Sequence, residues 1–301
     1  MGLEHGAPRM TLIAMDLNKN FIKTKRPCAE GFRWFLKHHA EGSDYQPLLD
    51  ALVAAGRVDD ACWLLAQFGP SNAVLEVDAI DAEALVFAGS LEVRGNIEIG
   101  AALTVGGAIR AGGGIRAGTG ISAGDDIRAA GGIQCSGTLE AGGSVDARWG
   151  IHVLGSVRVR GDMRAGWDIA CGGALALEGD CSAGHEIVLG GPAHVRMGVR
   201  AGGALTCRTE LRAGRGIESG ESIESAGHLE ADWGIRAAGA IAAGGAIRVG
   251  ESLQAGGEIR AGDGYGVYAG LAVRQDCWES SAQVSATARP ARLLSGHWTG
   301  A

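Results

Sequence analysis

Eight histidines, seven cysteines and several glycine strings are the residues here that could do covalent or acid–base chemistry. Histidine is the commonest general base near neutral pH. His152, His185, His194 and His228 fall in the repetitive part of the chain. None has a loop insertion beside it to shape a pocket, and none has an obvious acid partner, so they read as surface residues. The cysteines lack the CxxC spacing of a metal site. Cys135, Cys171 and Cys207 recur every 36 residues where alanine otherwise stands, and read as small hydrophobes facing a core. The glycine strings at 106–107 and 112–114 imitate phosphate loops, but no Gly-Lys-Ser/Thr follows. The expectation is a chain with no catalytic group, metal or cofactor.

Recognition is the chemistry the spacing favours. Trp149, Trp167 and His185 follow one another at equal intervals of eighteen, so in a coil of that length they stack along one edge. Arg110, Arg128, Arg164, Arg200 and Arg236 fall on a single face, interrupted by Asp146, Ser182 and Glu218. Aromatics beside arginines have the composition of binding hot spots. Trp149, Trp167, His185, Arg128, Arg164, Arg200 and Arg236 are therefore the candidate binding residues. The competing reading is that Trp covers glycine turns and Arg keeps the face in water.

What would hold these residues is a repeat. From Leu85 to Leu271 an aliphatic or similar residue recurs at every sixth position, 31 steps without an insertion, with Cys181 and Ala193 as weak members and Tyr265 the last but one. The commonest unit is I-x-A-G-x-x, as in Ile109-Arg110-Ala111-Gly112. Residues two apart on a strand share a face, so Ile and Ala point inward and the residue between them points out. The glycine suits a corner, where close approach or a positive φ is needed. One hexad is too short to pair with its neighbour, so stacking successive coils is what satisfies the backbone. Coils of twelve and of eighteen both divide the 36-residue repeat.

Composition agrees. Glycine numbers 52, yet the hydrophobic fraction is 46% and prolines are only 6, which excludes a linker or collagen. A net charge of −7 argues against a nucleic-acid partner. No run of 18 apolar residues exists, and the opening MGLEHGAPRM has no signal core, so the expectation is a cytoplasmic chain without a membrane span. All five phenylalanines precede residue 90. That front reads as helices: one from Ala29 to His39, one capped by Ser43 or Asp44, and one from Val58 ending at Gly69-Pro70. The predicted layout is a flexible 1–20, a helical cap over 21–70, a connector at 71–84, the repeat over 85–276, and a capping strand and tail at 277–301.

The segment Ser90-Leu-Glu-Val-Arg-Gly-Asn-Ile resembles bactofilins, the polymer-forming cytoskeletal proteins of bacteria, and the repeat resembles hexapeptide-repeat β-solenoids over residues 85–276. The resemblance favours the longer coil, of eighteen. It implies an all-β parallel β-solenoid, triangular in section, with about eleven coils and a lean to the right-handed form. Left-handed acyltransferases of this kind place a small inward residue two before the aliphatic one, where this chain has residues such as Trp149, Trp167 and Glu221. The functional expectation is a non-catalytic rod that binds another protein through its lateral surface, for instance an immunity- or antitoxin-like inhibitor of a basic partner. A self-assembling, homo-oligomeric scaffold is the first alternative and a hexapeptide acyltransferase the second. Both ends are expected to be capped.

Overall fold

The computed structural model describes residues 16–39 and 41–300. It is a parallel β-solenoid of about 13 turns, roughly eighteen residues to the turn, with a small helical region at its N-terminal side. Each complete turn contributes one short strand to each of three sheets. Sheet I has 13 strands from Val74–Val77 to His297–Gly300, sheet II has 11 from Ile80–Ala82 to Ile259–Arg260, and sheet III has 12 from Leu85–Phe87 to Leu293–Ser295.

The I-x-A triplet explains the strand. In Ile115–Ala117 the outer residues are buried and Arg116 is exposed. Ile115 pairs with Ile97 below and Ile133 above, and Ala117 with Ile99 and Cys135. Every interior strand therefore completes its ladder on neighbouring turns, and like side chains stack into one continuous apolar column. The corner glycines work by close approach. A Cβ on Gly112 would run into the carbonyl oxygen of Arg94, and one on Gly124 into that of Gly106, while neither has a positive φ.

The turn number exceeds the expected eleven because pairing continues where the six-residue spacing fails. Leu75 pairs with Leu91, sixteen residues on, and Ile80 with Ile97, seventeen on. Strict 18-residue pairing starts with Leu85 and Leu103. The segment read as a connector thus contains the first two rungs. At the far end the inward residues expected at Tyr265 and Leu271 are exposed. Val267 instead lies opposite Ile247, because the corner after Arg260 has lengthened around Gly264, whose φ is +82°. Val284 and then Trp298 extend sheet I, and Leu293 extends sheet III. Corners absorb insertions and deletions, and the ladders stay in step.

Four helices precede the coils: α1 (Lys19–Thr24), α2 (Ala29–His38), α3 (Tyr45–Ala54) and α4 (Val58–Phe68). Helix α1 and the strand Asp16–Leu17 occupy part of the segment expected to be flexible; residues 1–15 lie outside the described residues. Ser43–Asp44 pairs antiparallel with Asp16–Leu17, and the Asp44 side chain makes no capping hydrogen bond to α3.

The helices close on the outer face and the open edge of sheet III's first rung. They build a second core from Leu17, Ile22, Phe35, Leu48, Leu49, Leu52 and Leu64, which closes on Val86 and Ala88. Those two are outward residues of sheet III's first rung, while Phe87 between them belongs to the solenoid core. Gln46 fixes the junction, donating to Val86 O at 3.0 Å and accepting from Ala88 N at 2.8 Å. Leu75, Ile80, Ala82 and Leu85 of the first turn remain only partly buried. The expected helical cap thus covers the first strand of sheet III, along its edge through Gln46 and on its outer face through the apolar Val86, where the next rungs of that sheet carry Thr104, Ser122 and Glu140.

Candidate functional site

The rungs present outward residues in rows, and the edges between sheets carry a second set. Sheet I holds the arginine row. Arg128 reaches Asp126 at 2.8 Å and Asp146 at 3.8 Å, and Arg164 lies between Asp162 and Asp146. Arg200 pairs with Glu218 at 2.9 Å, and Arg236 donates to Gln254 at 3.1 Å. Each of these four candidates is occupied by a neighbour one rung away or two residues back along the chain. Ion pairs this exposed contribute little and keep the face hydrated.

Trp149, Trp167 and His185 do share one column, at the edge where sheet I turns into sheet II. Their backbones are laddered, Trp167 N donating to Trp149 O at 3.2 Å and His185 N to Trp167 O at 3.0 Å. The rings of Trp167 and His185 stack at 4.8 Å and 13°. Trp149 and Trp167 are 64% and 54% exposed, so most of each indole meets water. His185 has an acid partner that the sequence did not reveal: Nδ1 is 3.0 Å from Asp168 Oδ1. Partial burial pushes the Asp168 carboxyl up, but hydrogen bonds from Glu186 N and the His185 ring outweigh it and hold it below the usual carboxylate range. The nearest ring is Trp167 and no nucleophile adjoins, so the pair orients the His185 ring against the indole.

Next to this column, sheet II loses its charge. Its outward row runs Gln134, His152, Ala170, Val188, Thr206 and Glu224. Ala170, Val188 and Thr206 are three successive uncharged rungs, about 14 Å of rod. Leu154, 72% exposed, stands at the other end of the His152 rung. Sequence reasoning missed this face, though the middle letters of Ile169-Ala-Cys, Ile187-Val-Leu and Leu205-Thr-Cys carry it. It also missed Trp233, on the edge from sheet III to sheet I, with Arg215 lying 5.3 Å over its ring.

The inward cysteines are core residues. Cys135, Cys171 and Cys207 lie in sheet II and donate to corner carbonyls such as Thr138 O, Gly173 O and Glu210 O. Burial raises all three thiols. No group of three or more His, Cys, Asp or Glu side chains among the described residues is placed to hold a metal. No helix among them is long and apolar enough to cross a membrane. Around the indole column the arrangement offers open, partly apolar surface.

Comparison with known proteins reaches the helical region alone. No curated protein and no solved structure matches the chain. One family model, described as the YdhT N-terminal domain, matches residues 15–68, the region of the helices that close on the first rung of sheet III.

Proposed function

We propose that the chain is a non-catalytic protein-binding rod, which engages its partner where Trp149, Trp167 and His185 border the uncharged face of sheet II. The observation that carries this reading is the coincidence of two mostly exposed indoles with three consecutive uncharged rungs. Most solvent-facing rungs elsewhere in the rod carry Arg, Glu or Asp, and large aromatics at the centre of a low-charge patch dominate binding energy in known interfaces. An inhibitor of the immunity or antitoxin kind is one concrete form, supported by the acidic net charge. The double variant Trp149→Ala/Trp167→Ala tests the reading. Its circular dichroism should match the parent, because neither indole enters the core. Proteins that the parent retains from a lysate of its own cells should be lost or weakened about 30-fold or more. Equal capture by parent and variant overturns the site.

One observation supports a second reading, self-assembly in the manner of bactofilins. The strands Val74–Val77 and Ile80–Ala82 are the ends of sheets I and II, and Leu75 and Ile80 are only partly buried there. Such an edge is a template for another chain. Electron micrographs of purified protein separate the readings: filaments would replace the first with the second, and discrete particles would retain it.

A further inference from the structure

A second surface departs from the rod's own pairing habit. Many outward arginines meet carboxylates, as Arg110 does Glu92 at 2.9 Å on sheet I and Arg248 does Glu230 at 2.8 Å on sheet III. Around the middle rungs of sheet III and their edge with sheet I the habit lapses. Arg158, Arg160 and Arg196 make no ion pair or side-chain hydrogen bond, among the described residues. Arg212 has Glu230 at 4.0 Å, a carboxylate that Arg248 already holds. All four line one open groove of about 810 Å3.

The groove exists because small residues interrupt long ones. Ala176 lies between Arg158 and His194 in the sheet III row, and Gly214 follows Arg196 along the edge, its N–H bonded to Val195 O at 2.9 Å. Two carboxylates, Glu178 and Asp232, also line it and form no ion pair with the arginines. Four guanidiniums against two carboxylates leave the groove positive on a chain of net charge −7. Arg160 and Arg196 are two rungs apart, about 10 Å, and Arg158 and Arg212 three, about 14 Å. Arg158, Arg160 and Arg196, which form no ion pair among the described residues, repel at such distances, a cost that an anion in the groove removes.

We infer that this groove receives an acidic segment of a partner protein, with Arg158, Arg160, Arg196 and Arg212 holding its carboxylates. The charges extend too far for one small anion. An extended peptide presents a side chain on the same face about every 6.6–6.8 Å, so two or three acidic residues span the groove. Guanidinium meets carboxylate through paired N–H donors. Nucleic acid fits less well, because no Trp, Tyr or Phe lines the groove to stack a base.

Fluorescence anisotropy with the full chain and a labelled oligoglutamate peptide tests this. Saturable binding at low salt that weakens as salt rises is the expected result. Arg160→Ala/Arg196→Ala should lower affinity about tenfold or more for each arginine removed, and Arg196→Glu should lower it further. Arg200→Ala, whose side chain is engaged with Glu218 on sheet I, should leave it unchanged. Absence of saturable binding, parental affinity in Arg160→Ala/Arg196→Ala, or tighter binding of an oligothymidylate of matched charge overturns the inference. Trp149→Ala/Trp167→Ala should bind the peptide like the parent, so this groove and the indole surface fail separately.

Discussion

Burial makes a thiol a poor nucleophile, because the thiolate loses its hydration. Cys181 replaces an aliphatic residue in a sheet I rung and is completely enclosed, which pushes its thiol up to about 12. Cys135, Cys171 and Cys207 are buried too, whereas Cys28 and Cys277 are exposed. In the native protein near pH 8, iodoacetamide followed by peptide mass spectrometry should therefore mark Cys28 and Cys277 first, and the four rung cysteines only after denaturation. Labelling of Cys181 in protein with an intact dichroism spectrum would contradict this. Asp168 gives a pH-dependent counterpart. Its carboxyl lies below the usual range in the folded chain, so its ionised form favours folding above that range and the gain is lost as pH falls through the lowered value. The urea midpoint of Asp168→Asn should trail the parent most near neutral pH and converge with it in acid. A gap that widened on acidification would reverse the sign.

At the scale of the rung, the apolar column and not the surface arginines should decide stability. Ile133 is fully buried with neighbours above and below, whereas Ile80 sits in the partly open first turn. Ile133→Ala is expected to cost about 2–5 kcal/mol, Ile80→Ala less, and Arg128→Ala under about 1 kcal/mol. Long repeats need not unfold in one step, so hydrogen exchange resolved along the chain is the suitable measurement: loss of protection should centre on the Ile133 rungs. Rungs of this kind were legible because one spacing governs both chemistry and geometry: Ile, x, Ala fixes which side chains face inward. The first and last turns were not, because Leu75, Ile80 and Val267 hold their places through ladder pairing across altered corners, and no period marks a corner's length. The Trp149, Trp167 and His185 column was visible from its 18-residue spacing. The uncharged face of sheet II was hidden because outward residues were sorted by the charges they carry. The Asp168 contact was hidden because it joins residues 17 apart, a relation that exists only once the coil has formed.

For the whole molecule, the question is how two cores with separate side chains behave as one body. The strand Leu85–Phe87 belongs to both: Phe87 faces the solenoid interior, and Val86 and Ala88 face the helices. Gln46 is the polar part of that seam and is almost fully buried. It occupies Val86 O and Ala88 N, groups that lie on the side of the strand away from water. Gln46→Leu would keep the volume and leave both backbone groups without a partner, a loss of about 1–3 kcal/mol for each. The rungs beyond do not depend on it, since Leu103 and Ile121 pair with one another through their own ladder. The expected result is a local one: faster hydrogen exchange and proteolysis across α3 and α4, with protection from about Ile109 onward unchanged. Tyr45, whose hydroxyl donates to Gly69 O at 2.9 Å, should respond with the helices. If protection instead fell evenly along the rod, the helical region would be a nucleus on which the coils depend, and the cap would be the foundation of the solenoid.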